Sequence, residues 1–148
     1  MTTNMDLFGM KTNTPVTLYN GYYDPDTKTN LYQRKVIPAV MWEDRKYSRV
    51  QQSGGRLADY AAMVYIPFGY NKPSYMLPKV WLALEDKSSN WTIQEGDLLV
   101  KGEVSDELGA AFTPSDLRKK YDDVLAAADI YTYDMGSYAL QHWKVGAK

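Results

Sequence analysis

Residues 32–68 read YQRKVIPAVMWEDRKYSRVQQSGGRLADYAAMVYIPF, and this stretch decides the fold. Its two ends, Tyr32–Glu43 and Ala61–Phe68, have alternating side chains rich in β-branched and aromatic types, which predicts two strands. Pro38 cannot donate to a strand ladder, so it predicts a bulge or an edge position in the first strand. The segment between them, Asp44–Tyr60, is seventeen residues long, and connections of that length usually carry function or are disordered.

This segment, called the basic connection below, is positively charged in a chain whose formal charge is −1. It contains two acids, Asp44 and Asp59, and four cations, Arg45, Lys46, Arg49 and Arg56. Gly54 and Gly55 predict a flexible tip, because glycine adopts backbone angles that other residues avoid. Such a concentration of charge on a long hairpin predicts an anionic contact, and a solvated charged loop is the alternative.

Further strands, separated by turn residues, are predicted over the rest of the chain. They are Val16–Tyr19, Trp91–Gln94, Leu98–Glu103, Ile130–Tyr133 and Tyr138–Val145, with a hairpin turn at Glu95–Asp97. Val80, Leu82 and Leu84 mark either another strand or a short helix. We therefore expect a mainly β protein, a small β-barrel or sandwich with long inter-strand loops. Residues 1–15 are expected to be a flexible N-terminal arm, and residues 16–148 a single β-barrel-like domain.

One short α-helix is predicted at about residues 114–127. Thr113 is a suitable N-cap, and Pro114 is suited to the first helical position. Leu117, Tyr121 and Val124 then recur at helical spacing and give one apolar stripe.

The composition excludes several kinds of protein. The 148 residues include no cysteine, which excludes disulfides, thiolate zinc sites and cysteine nucleophiles. No run reaches eighteen apolar residues, and residues 1–15 do not resemble a signal peptide, so we expect an intracellular protein without membrane contact. The near-neutral charge argues against a body that clamps nucleic acid over its whole surface.

No motif in the chain predicts chemistry. His142 is the only histidine and lacks a nucleophile context, so it is interpreted as a structural hydrogen-bonding residue. Asp24–Lys28 begins like a calcium loop but lacks the later ligands, and Ser53–Arg56 lacks the end of a phosphate-binding loop. We therefore expect no enzyme activity, no cofactor and no metal. The aromatic-rich segment Ile130–Val145 is either core or a subunit contact.

Several segments together resemble small neck proteins of long-tailed phages, most closely the head-closure (stopper) family. They are VTLYNGYYDPDT (16–27), RKVIPAVMWEDRK (34–46), GGRLADYAAMVYIPF (54–68), WTIQEGDLLVKGE (91–103) and TYDMGSYALQHWKVGAK (132–148). The resemblance implies a small β-barrel with a long loop between its second and third strands, which here is the basic connection. It implies rings compatible with sixfold symmetry beneath the portal and adaptor, connected to the tail within the virion.

In that family the long loops converge in the channel and retain packaged double-stranded DNA. Carried over by position, Arg45, Lys46, Arg49 and Arg56 would lie near DNA phosphates or neighbouring loops. The chain departs from the family pattern by insertions at residues 69–90 and 114–127, which leaves a tail terminator or another minor neck or capsid protein as alternatives. A monomeric ligand-binding β-barrel is the alternative from another class.

Overall fold

The computed structural model describes residues 5–7, 10–45 and 60–148. The strands of these ranges are β1 (Met5–Leu7), β2 (Met10–Thr12), β3 (Thr14–Asp24), β4 (Thr29–Asp44), β5 (Ala62–Pro67), β6 (Leu98–Lys101), β7 (Val124–Tyr133) and β8 (His142–Ala147). The helices are α1 (Pro78–Leu82), α2 (Pro114–Lys120) and two 3₁₀ helices, Gly69–Ser74 and Tyr138–Leu140.

Six of the strands form a closed antiparallel barrel in the order β3-β4-β5-β8-β7-β6, while β1 and β2 pair separately. The prediction of a mainly β protein is therefore confirmed, and its two alternatives resolve to the barrel. Closure leaves no end strand in the sheet, although single strands extend past their neighbours.

The two strands that flank the basic connection are confirmed with small changes at their ends. They are β4 and β5, which pair from Asp44 with Ala62 to Met41 with Tyr65. Pro38 lies in a bulge, because Thr14 pairs with Val40 but Val16 pairs with Ile37, which leaves one extra residue on β4.

The barrel has two rims, because antiparallel neighbours alternate in direction around it. The first rim carries the start of β3, the basic connection, residues 102–123 and the last residue of the chain. The second rim carries residues 25–28, 68–97 and 134–141.

Two hydrophobic clusters hold the fold together. The larger cluster takes buried side chains from all six barrel strands and from the second-rim connection, including Trp91 and Trp143, whose ring centroids lie 5.0 Å apart. The second, called the outer cluster, packs Tyr19, Leu98 and Val100 of the barrel against Leu117 of α2 and neighbouring side chains. Residues 102–123 thus fold back over one outer face of the barrel.

The predicted helix at 114–127 is too long, because α2 ends at Lys120 and β7 begins at Val124. Its start is as predicted: Thr113 and Asp116 form a capping box, with Pro114 in the first turn. Residues 124–126 pair with β6, and the backbone bonds of that ladder outweigh the local preference for continuing the helix.

Other boundaries also differ from the predictions. Trp91–Gln94 is not a strand, and the turn at Glu95–Asp97 is not a hairpin, because the Gly96 N–H donates to the Ala127 carbonyl at 2.8 Å. The apolar stretch at Val80 is the short helix α1, and the last strand starts at His142 rather than at residue 138. β1, β2 and the start of β3 fall within the predicted arm, and its flexibility stays a prediction.

Candidate interaction surface

Arg45 is the one predicted cation of the basic connection that lies among the described residues. Its guanidinium is paired with the Glu43 carboxylate, with an Nη2 to Oε1 distance of 3.1 Å. Its backbone N–H donates to the Ala61 carbonyl at 2.8 Å, so the two ends of the connection lie side by side. Lys46, Arg49, Gly54, Gly55 and Arg56 lie outside the described residues. Their roles stay predictions.

The C-terminal end of the basic connection is fixed to the barrel by Tyr60. Its ring covers Gly146 so closely that a Cβ atom there would lie 2.6 Å from the ring. The Tyr60 hydroxyl donates to the Asp129 carboxylate, and this bond to an anion raises the pKa of the phenol. At the other end, Asp44 forms an ion pair of 3.6 Å with Lys101 of β6. Both ends are therefore anchored at the first rim.

An apolar surface lies at the end of β7 and in the segment that follows, where residues 131–140 are all exposed. We call its large side chains the tyrosine surface; they are Tyr131, Tyr133, Met135, Tyr138 and Leu140. Strand alternation explains the first two, because Ile130 packs into the core and its neighbours face outward. Met135 is 84% exposed, which is unusual for a large apolar side chain in a folded domain.

A groove of about 250 Å³ runs between these side chains and the start of β8. His142 forms its floor: the imidazole is buried, stacks on Tyr133 at a centroid distance of 4.7 Å, and its Nδ1 lies 2.8 Å from the Leu140 carbonyl oxygen. The groove lining is mostly apolar, with Asp134 at its edge. Its chemistry suits an apolar or aromatic side chain of a partner.

The exposed large hydrophobic side chains of the described residues all belong to the second rim or to strand ends that lead to it. Besides the tyrosine surface they are Tyr23, Leu77, Val80 and Leu82. Single exposed apolar residues are ordinary, but a concentration at one end of a molecule is typical of an interaction site. The second rim is therefore the better candidate for protein contact, and the first rim carries the basic connection.

A buried carboxylate, Asp97, joins the parts of the molecule near the second rim. It accepts hydrogen bonds from the backbone N–H groups of Gly21 and Gln94, both at 2.9 Å, and from the Asn20 side-chain amide at 2.8 Å. Burial raises the pKa of Asp97 to about 6. With all three donors supplied by the protein itself, the arrangement ties β3 to the turn before β6 and is structural.

The sequence left open whether the aromatic segment Ile130–Val145 belongs to the core or forms a subunit contact. The structure divides the segment: Trp143 and Val145 are fully buried, whereas Tyr131, Tyr133 and Tyr138 are exposed. The buried pair lies on β8 and faces the barrel core, while the exposed tyrosines lie at the end of β7 and in the segment that follows it. The prediction of a strand at Ile130–Tyr133 did not say which of its two faces the rest of the chain would cover.

Among residues 5–7, 10–45 and 60–148, no group of three or more His, Asp or Glu side chains could hold a metal ion. None of the helices described in these ranges has the length and apolar character needed to cross a membrane. The chain belongs to a family of unknown function, DUF6751, whose model matches residues 11–148. A comparison with curated proteins and a comparison with solved structures each found no match.

Proposed function

We propose that this member of DUF6751 is a virion structural protein of the head–tail interface of a long-tailed phage. Its role is that of a head-closure protein, which forms a ring, retains packaged double-stranded DNA and connects the portal and adaptor to the tail. The observation that carries the proposal is the division of the barrel between its two rims. A long basic connection is anchored at the first rim, and exposed apolar side chains are concentrated at the second.

The basic connection supplies the contact with DNA. The segment 46–59 contains three cations, Lys46, Arg49 and Arg56, and one acid, Asp59, so it is positively charged. Repeated around a ring, a few cations per subunit give a strongly positive constriction although each subunit is nearly neutral. Contacts with phosphates carry no base information, so retention would not depend on DNA sequence.

The second rim supplies the contacts with other protein subunits. Its exposed aromatic and methionine side chains are of the types enriched at the centres of protein interfaces. The interior of the barrel is filled by side chains such as Trp143, Phe68 and Val64, which gives the alternative of a ligand held inside the barrel less support.

Disruption of the gene in a phage that encodes this chain tests the role. We expect heads that have lost their DNA and carry no tails, seen by electron microscopy of thin sections. Filled heads accompanied by tails of irregular length would instead favour the tail terminator. Normal infectious particles would contradict both roles, as would a gene that lies outside phage and prophage genomes.

A charge variant tests the basic connection separately. Replacement of Lys46, Arg49 and Arg56 by alanine should leave assembly intact but reduce the fraction of DNA-filled heads, because phosphate contacts are lost. Arg45 is left unchanged in this variant, because it already forms an ion pair with Glu43. The matched control removes the same charge from Lys79, Lys119 and Lys148, which are exposed and lie outside the connection. Equal retention in the two variants would contradict the assignment.

A further inference from the structure

We infer that neighbouring copies join by β-sheet pairing, with the free edge of β4 in one copy against the free edge of β7 in the next. The paired segments are residues 31–37 of β4 and residues 128–133 of β7. This inference rests on the assembly in the proposed function and names the surfaces that make it. It is carried by three features of the barrel: free edges, their positions and their charges.

The first feature is the incomplete pairing of two long strands. β4 pairs with β3 from Thr29 to Val40 but with β5 only from Met41 to Asp44. The backbone of residues 31–37 therefore has no partner on the side facing away from β3 among the described residues.

β7 shows the same pattern. It pairs with β8 as far as Tyr133 but with β6 only from Val124 to Ala126, and Ala127 then bonds to the turn at residues 96–97. Residues 128–133 have no backbone partner on that side among the described residues. Unpaired edges of this length are natural templates for a strand from another chain.

The second feature is where these edges lie. β4 and β7 stand three places apart in a barrel of six strands, so they occupy opposite flanks. They also run in opposite directions, because the neighbours around the barrel are antiparallel. Two barrels standing in the same orientation therefore present β4 and β7 to each other as an antiparallel pair. Such a contact joins two different patches, and its repetition gives a ring when the rotation between copies closes.

The third feature is charge complementarity. The β4 edge carries Lys35, while Arg34 beside it is already bonded through its Nε to the Val104 carbonyl at 2.6 Å. The β7 edge carries Asp129 and is followed by Asp134. Lys35 forms no ion pair among the described residues, whereas Asp129 is held in place by Tyr60. Pairing between two β7 edges would place acid against acid, and pairing between two β4 edges would place base against base. The charges therefore favour β4 against β7.

Disulfide trapping tests the pairing directly, because the chain has no cysteine of its own. Full-length chains carrying Gln33→Cys or Val36→Cys on β4 are mixed with a chain carrying Thr132→Cys on β7 and mildly oxidised. We expect cross-linked pairs in the mixtures and little cross-linking of any variant alone. The matched control mixes Thr132→Cys with Ser88→Cys, an exposed position on neither edge, and should stay uncross-linked.

Charge reversal provides a second measurement on the same edges. Lys35→Glu should weaken association roughly two- to fivefold per contact, and adding Asp134→Lys in the same chain should restore it. Light scattering measures the assembled mass against the 16.9 kDa monomer, and thermal melting checks that each variant folds.

The outcomes separate this inference from the proposed function. Rings without β4–β7 cross-links, or cross-linking of Thr132→Cys with itself alone, would overturn the edge pairing and leave the role in the neck standing. A chain that remains monomeric at all concentrations, with no cross-link, would overturn the pairing and count against ring assembly as well. Cross-linked β4–β7 pairs together with an assembled mass support both.

Discussion

Two outer faces of the barrel have the same kind of sequence but different surroundings. On β3 and β6, the outward side chains Tyr19, Leu98 and Val100 are buried beneath residues 102–123. On β7, the outward side chains Tyr131 and Tyr133 are left exposed. Strand alternation places all five of these apolar or aromatic side chains on the outside of the barrel. The comparison therefore shows that a tyrosine on the outside of this barrel is buried or exposed according to whether the chain itself supplies a cover.

The cover over the first face is tightly bound. The Tyr19 hydroxyl donates to the Asp106 carbonyl at 2.7 Å, and the Tyr121 hydroxyl donates to the Asp106 carboxylate at 2.5 Å. Bonds from Tyr121 and Lys120 lower the pKa of that carboxyl, so it remains an acceptor at neutral pH. On the uncovered face, the Tyr138 hydroxyl donates to the Gly69 carbonyl at 3.3 Å. The second face is therefore left in contact with water within one chain.

The largest effect on stability is expected when the packing of residues 102–123 on the barrel is weakened. Leu117 is fully buried where α2 packs on the outer cluster, so Leu117→Ala should lower the free energy of unfolding by about 2–5 kcal/mol. Urea or thermal unfolding measures the loss. The matched control, Leu140→Ala on the tyrosine surface, should change it by about 0.5 kcal/mol or less. Similar losses in the two variants would contradict the distinction between covered and uncovered faces.

A smaller effect is expected at Asp97, which holds the turn that bridges the two faces. Asp97→Ala removes the acceptor to which Asn20 and Gln94 both donate, and should cost roughly 1–3 kcal/mol at pH 5. Glu95→Gln, at the exposed position two residues earlier, is the control and should cost little.

The same carboxyl predicts a dependence of stability on pH. The folded pKa of Asp97, about 6, is raised above its ordinary value of 3.8, so the folded state binds the proton more tightly than the unfolded state. Proton binding by Asp97 stabilises the folded state fully below pH 3.8. This stabilisation is lost as the pH rises through 6, and the free energy of unfolding falls by roughly 3 kcal/mol in all. Urea unfolding between pH 4 and pH 7 measures this slope. An equal slope in Asp97→Ala would contradict it.

The smallest effect on stability is expected on the uncovered face itself. The double replacement Tyr131→Ser and Met135→Ser should leave the melting temperature almost unchanged, because both side chains already contact water. It should nevertheless reduce the assembled mass measured by light scattering, since the apolar contact area is lost. A large drop in melting temperature with unchanged assembly would show that this face is covered within one chain.

Local sequence signals predicted part of this structure. Alternation in residues 32–43 and 61–68 predicted β4 and β5, and Pro38 predicted the bulge because it lacks an N–H. Thr113 and Pro114 predicted the start of α2 through capping. The predicted end of the helix was wrong because Val124, Leu125 and Ala126 suit the apolar stripe of a helix as well as a strand. Their pairing with β6 is a long-range contact, which local sequence does not reveal.

The sequence by itself determined that the two segments flanking the basic connection are strands, where the helix is capped and where positive charge is concentrated, because these depend on neighbours along the chain. The tertiary structure alone decided that the barrel closes and that β4 and β7 keep free edges on opposite flanks. It also decided that residues 102–123 cover Tyr19 and leave Tyr131 exposed. The physical reason is that burial depends on which distant segment returns to pack on a face, and alternation along a strand carries no information about that segment.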